Sequence, residues 1–309
     1  MTQTMLSTVA AVFAAVRTAA AAEETQQIRG ALARAAELIA KEPSASLLPA
    51  LALRPSTPDP AIIGAHAAIV AAAMARDIEV SERTVAEIVE STLLVPLGRY
   101  WLARKSGLDL DVFRALPEPS EARVPALSAG ARLCADQVSQ TIAVTAFEAG
   151  WLARSTALGP LYAGRREALP RSYLVATARA FAEGCSTTEV GARVSAHEVL
   201  KGLSGDAVYA SWVSVLARVV GQFPVGSAVV LEDGSWAVVA GPPAYQPERP
   251  PVRRVTDDKG RALSPPPLWD LGKDASLPKV THALEPGLCR FNVARAIFPH
   301  SAPPGPSAG

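Results

Sequence analysis

AVYASWVSVLARVVGQFPVGSAVVLEDGSWAVV, residues 207–239, changes its apolar period part-way along. In its first half Val208, Trp212, Val215, Leu216 and Val219 recur at helical spacing and form one stripe. After Phe223-Pro224-Val225-Gly226 come two short β runs around Asp233-Gly234. That dipeptide is a hairpin signal, because it accepts the backbone angles that a tight turn between twisted strands needs. A third run, PPVRRVTDDKGRAL (250–263), ends in another Gly turn. The chain therefore reads as helical to about residue 220 and as β from there.

Upstream of this switch the periodicity is helical throughout. Residues 4–41 predict two helices. Met5, Val9, Val12, Phe13 and Val16 mark the first, and Ile28, Leu32, Ala35 and Ile39 mark one face of the second, which ends near Pro43. Asp59-Pro60 is a helix start: Asp accepts from first-turn amides, and Pro sits where no donor is needed. AIIGAHAAIVAAAMARDI (61–78) is apolar on nearly all sides, which predicts a buried helix. SERTVAEIVESTLLV (81–95) is the next, started by Ser81. Residues 121–154 hold one long or two shorter helices, and RSYLVATARAFAEG (171–184) another. SAHEVLKGL opens with Ser195 and Glu198 in capping-box spacing. Of 26 prolines, 14 lie from Pro242 onward, and SAPPGPSAG (301–309) has the composition of a disordered tail. The expected organisation is N-terminal helices over 1–44, a helical domain over 45–222, a small β subdomain over 223–285 and a flexible Pro-rich tail over 286–309.

Composition agrees with a globular, helix-rich chain. Of the 309 residues 49% are apolar, 19% charged and 6% aromatic, and alanine dominates the first two-thirds. The formal charge is +1 with no basic block, which argues against a nucleic-acid reader and a membrane-surface binder. Cys134, Cys185 and Cys289 lie far apart, as reduced thiols in a cytoplasmic protein would. MLSTVAAVFAAVRTAAAAEE (5–24) mimics a secretory leader, but MTQT carries no basic residue and Arg17 interrupts the run.

Chemical motifs are sparse. No phosphate-cradling G-x-x-x-x-G-K or G-x-G-x-x-G loop and no G-x-S-x-G elbow occurs. Of four histidines, His300 adjoins the tail, His282 follows the β region, and His197 lies in the first turn of a capped helix as a solvated residue. Only His66 falls on a buried helix. Glu87 and Glu90 read as a solvated face. A hydrolytic metal site needs several His, Asp or Glu side chains converging from different helices, and these apolar helices supply almost none.

The order of segments carries a resemblance. Phe223-Pro224-Val225-Gly226, the hairpin, Pro251-Val252-Arg253-Arg254-Val255 and Leu268-Trp269-Asp270-Leu271 follow a helix as they do at the end of HD-GYP domains. AIIGAHAAIVAAAMA, YLVATARAFAEGCS and SAHEVLKGL resemble three helices of the same family, and the resemblance spans roughly residues 45–285. It implies a mainly α fold, an HD-type helical bundle with a small C-terminal antiparallel β subdomain. In the family this fold carries metal-dependent hydrolysis of cyclic di-GMP. The family's first metal-binding His falls on His66. Its His-Asp doublet falls on Val95-Pro96, within TLLVPLGR (92–99), where the flanking Leu, Gly and basic residue remain. A further His falls on Ala126, and the late Asp on Arg179. The His-His-Glu and Gly-Tyr-Pro elements should lie near EAGWLARSTALGPLYAG (148–164), which contains neither.

The resemblance therefore implies a metal site lost at Val95, Pro96, Ala126 and Arg179, with His66 as its remnant and no cofactor. A cation at Arg179 would repel a divalent metal. The expected function is that of a catalytically inactive HD-GYP-like signalling protein that binds a protein partner or cyclic di-GMP. The nucleotide version would use Arg154, Arg165, Arg166, Arg171 and Arg179, since guanidinium pairs with phosphate in bidentate fashion. The competing reading of those arginines is an ordinary charged surface. The alternative function is an active metal-dependent phosphodiesterase with an atypical site. The N-terminal helices either pack on the bundle or form a homodimer contact.

Overall fold

The computed structural model of the chain describes residues 2–21, 25–42, 47–52, 60–105, 139–152, 161–162, 167–186, 195–244, 246–284, 291 and 293–297. Among them are nine α-helices and five strands. The helices are α1 (Thr2–Ala21), α2 (Thr25–Lys41), α3 (Pro60–Asp77), α4 (Glu82–Lys105), α5 (Gln140–Leu152), α6 (Pro170–Cys185), α7 (Ala196–Ser204), α8 (Ala210–Val220) and α9 (Val293–Ile297), with a 3-10 turn at Leu48–Ala52. The protein is mainly helical, with a small antiparallel sheet towards the C-terminus.

Helix α3 is the hub. Its faces pack against α1, α4, α6 and α8. Ala65 and the run Ala67–Ala75 are all buried, which is why a helix with no polar face is stable here. Small side chains let the neighbouring helices approach closely. The apolar stripes of α1 and α2 (Val9, Val12 and Val16; Ile28, Leu32 and Ile39) are buried in the same core as α3 and α4. The N-terminal helices thus pack on the bundle. Among the described residues, no helix is long and apolar enough to cross a membrane.

The helix starts read at Ser81 and Ser195 are built as expected, while the cap read at Asp59 lies outside the described residues. Ser81 Oγ accepts from Thr84 N–H at 3.2 Å, and Ser195 Oγ accepts from Glu198 N–H at 3.1 Å. Helix α4 does not end at Val95 but continues through Pro96 to Lys105. Proline removes one donor from the ladder. In the turn before it, Ser91 Oγ and Thr92 Oγ1 donate to the carbonyls of Glu87 and Ile88, each at 2.7 Å.

The sheet comprises β1 (Ala228–Leu231), β2 (Trp236–Val239), β3 (Pro251–Arg254), β4 (Leu268–Asp270) and β5 (Val280–Ala283), in the order β4-β3-β2-β1-β5. All pairings are antiparallel, with Val229 opposite Ala237 and Val239 opposite Val252. Strand β2 alternates cleanly. Trp236 and Val238 face the helical core, while Ala237 and Val239 join Phe223, Val229, Leu231, Val252 and Leu271 in a second, smaller core. The hairpin turn is not the two-residue form. Only Gly234 has a positive φ (80°), Gly234 N–H donates to Leu231 O, and Leu231 N–H donates to Ser235 O, each at 2.9 Å. That is a type I turn closed by a glycine bulge.

Two expectations are corrected. His282 does not follow the β region but lies within β5, whose residues are half-buried or exposed and so carry no clean apolar alternation. Residues 293–297, placed in the flexible tail by composition, form α9. Ala296 and Ile297 are buried there, and Phe291 meets the Trp236 ring at 6.4 Å.

Candidate functional site

His66 sits midway along α3 and is 3% exposed. The Phe13 ring of α1 meets it edge-on at 5.6 Å. The cavity beside it is lined by Leu51, Phe181, Cys185, Ser186, Pro224 and Val225, among others, and its volume is about 10 Å³. That is room for one water at most. Val95, matched by resemblance to the metal-binding His of the doublet, is buried in the same aliphatic core. Pro96 lies in the helical backbone of α4. Ala126 lies outside the described residues.

Arg179, matched only by resemblance to the family's late Asp, is also buried. Its Nη2 donates to Glu183 Oε1 at 2.5 Å, one turn along α6, while the buried Nη1 has no hydrogen-bond partner among the described residues. Tyr209 lies in its field. Burial pushes the Tyr209 phenol up to about 12, with Asp206 and Glu183 adding to the shift and Arg179 opposing it. Arg171 is half-buried and faces elsewhere: its Nη1 lies 3.5 Å from Glu87 of α4, which also takes Arg83 Nε at 3.3 Å. Of the five arginines proposed to hold phosphate, these two are engaged by carboxylates on different helices and do not converge. Arg154, Arg165 and Arg166 lie outside the described residues.

A buried acid that accepts three hydrogen bonds was not singled out from sequence. Glu148 of α5 is 1% exposed. Its Oε1 accepts from Tyr162 Oη at 2.5 Å, and its Oε2 accepts from Leu169 N–H at 2.8 Å and Ser172 Oγ at 2.6 Å. Leu169 is the N-cap of α6 and has no side chain able to cap, so a carboxylate from the neighbouring helix does that work and complements the helix dipole. The available signal was an acid in an otherwise apolar helix, QTIAVTAFEAGWL. Glu148 clamps α5 to the N-terminus of α6, and Tyr162 adds to the clamp.

A second locus is a groove between α2 and α4, of about 750 Å³. Ala33, Ala36 and Ala40 of α2 form one wall, and Ala86 and Glu90 of α4 part of the other. Its cations are occupied. Lys41 pairs with Glu37 at 2.5 Å, and Arg76 donates to the carbonyls of Ala40 and Glu42 at the C-terminal end of α2 and lies 3.5 Å from Glu82. Glu87 and Glu90 do not form the solvated face that their spacing suggested. Both are half-buried, because α2 and α6 pack beside α4. Burial raises the Glu90 carboxyl above its ordinary value; Glu87 adds to that, and Arg29 offsets part of it.

Among the described residues, no group of three or more His, Cys, Asp or Glu side chains is placed to hold a metal ion. No protein-family model, curated protein or solved structure matches the chain.

Proposed function

We propose that the chain is an HD-GYP-like cytoplasmic signalling protein that acts by binding a protein partner rather than by hydrolysing a cyclic dinucleotide. The observation that carries this is the surroundings of His66. The residue matched to the doublet's His is Val95 in a packed aliphatic core, and the adjoining cavity of about 10 Å³ is too small for a nucleotide or a pair of metal ions. A buried guanidinium at Arg179 adds positive charge where the family places a metal-binding carboxylate. The commitment of Arg171 and Arg179 to Glu87 and Glu183 favours a protein over cyclic di-GMP as the ligand. Because the stripes of α1 and α2 are spent inside the chain's own core, a distinct partner is favoured over a homodimer through those helices.

The test is a calorimetric titration of the full-length chain with cyclic di-GMP in the presence of manganese, followed by analysis of the product. Neither heat of binding nor turnover is expected. Binding without turnover would make the chain a nucleotide sensor. Turnover, with metal bound stoichiometrically, would replace this reading by a phosphodiesterase with an atypical site.

A further inference from the structure

We infer that the groove between α2 and α4 is the docking site for a cationic amphipathic helix of a protein partner, with Glu90 as the anchor for its Lys or Arg side chain. The inference rests on the protein-binding reading and supplies the chemistry of the partner. Three observations select that occupant. First, the walls are built from alanine, so a helix can lie close to the backbone of α2. From Ala33 to Lys41 the α2 wall runs about 12 Å, two turns of an incoming helix.

Second, the charge of the groove is unbalanced in one direction. Glu37, Glu42, Glu82 and Glu90 line it against Lys41 and Arg76. Both of those cations are already engaged within the chain, by Glu37 and by the carbonyls that end α2. Third, no hydrogen bond or ion pair reaches Glu90 from the described residues, although it is half-buried. Arg29, whose field favours its charged form, is itself exposed and makes no ion pair with it. A desolvated carboxylate without a partner gains most from an incoming ammonium or guanidinium. Anionic ligands are repelled by the same groups, and among the described residues no three metal-ligating side chains are gathered to hold a metal ion.

The probe is a short fluorescent amphipathic peptide with alanine and leucine on one face and lysines along its edge. Its control is the same peptide with every lysine replaced by glutamate. Anisotropy titrations use the full-length chain and its variants Glu90→Gln and Ala33→Phe. Ala33 is exposed, so the larger ring fills the groove without entering the core. Circular dichroism checks that both variants are folded. Saturable micromolar binding of the lysine peptide is expected, with none of the glutamate peptide. Glu90→Gln should weaken it about five- to tenfold, and Ala33→Phe should abolish it. Equal binding of the two peptides, binding indifferent to Glu90→Gln, or no binding of the lysine peptide would overturn the inference. The nucleotide titration separates the two proposals. A silent groove with no turnover removes the groove alone, whereas turnover with an occupied groove removes the non-catalytic reading alone.

Discussion

Truncating Glu148 to alanine should be among the most destabilising single changes in the helical body. The carboxylate is buried and accepts three hydrogen bonds, from Tyr162 Oη, Leu169 N–H and Ser172 Oγ. Alanine strands all three donors. Tyr162 is half-buried and can turn to water, but Ser172 is fully buried and the Leu169 amide is fixed by the backbone entering α6. Two stranded donors cost about 2–5 kcal/mol, and the vacated side-chain volume adds to that. Glutamine separates shape from charge. Its carbonyl can stay where Oε2 accepts from Leu169 and Ser172, and its amide can donate to Tyr162 Oη, since a hydroxyl accepts as well as donates. Only the charge-assisted part of the bonding and the interaction with the helix dipole are lost, about 1 kcal/mol. The assay is urea unfolding at neutral pH followed by far-UV circular dichroism. An alanine variant within about 1 kcal/mol of the parent, or a glutamine variant as unstable as the alanine one, would refute the clamp.

Three further outcomes follow from particular contacts. The buried Arg249 donates from Nε to Leu271 O at 2.6 Å and from Nη2 to Asp274 O at 2.9 Å and Leu277 O at 3.2 Å. Arg249→Ala should therefore cost about 2–4 kcal/mol in the same assay, and Arg249→Lys should not restore it, because one ammonium lacks the planar fork. Gly226 has φ +87°, and a Cβ there would stand 3.2 Å from Ala52 Cα. Gly226→Ala must then lose more than the about 1–2 kcal/mol of backbone strain expected for Gly234→Ala, where φ is +80° and the space is open; equal losses in urea unfolding would contradict this. Glu90 gives a pH signature. Its folded carboxyl titrates above its ordinary 4.5, so the folded state holds the proton more tightly, and stability falls as pH rises through that raised value. Glu90→Gln should unfold at higher urea than the parent at neutral pH, and the advantage should vanish below pH 4.5; an advantage that persists in acid would mean that burial of the charge is not its source.

How much was legible in the sequence depended on whether the signal was local. The stripes Val9-Val12-Val16 and Ile28-Leu32-Ala35-Ile39, the caps at Ser81 and Ser195 and the turn at Gly234 are set by neighbours within a few residues, and all appear where the periodicity puts them. In the stripe of α8, which packs against α3, α6 and α7, Val215 and Leu216 are buried while Trp212 and Val219 are half-buried. Strand β5 was not legible, since an edge strand pairing only with β1 needs no apolar face. Glu148 was missed for a related reason. An acid in an apolar helix is costly until its donors arrive from 14 to 24 residues away, and no spacing rule within its own helix announces them. The extent of α4 was hidden by Pro96, which reads as a stop when the helix has to stand alone.

Helix α4 shows why a candidate site read by resemblance and one read by geometry can occupy the same element. Glu90 and Val95 are five residues apart, which at 100° per residue places them about 140° apart around the axis. Val95 points into the aliphatic core shared with α3, and Glu90 lines the groove beside α2. A metal site at the Val95 turn would need carboxylate or imidazole ligands, yet the residues of α4 buried beside Val95 are Ser91, Thr92 and Leu94, and both hydroxyls are bound to carbonyls one turn back. Restoring one ligand in that setting would bury an uncompensated polar group rather than rebuild a centre. On the outer face Glu90 is only half-buried, so its ionised carboxylate is penalised but tolerated, and a docked cation would offset that penalty. On the reading proposed here, loss of the inner site and use of the outer groove are independent, so a variant at Glu90 should alter binding without changing how the core around His66 packs.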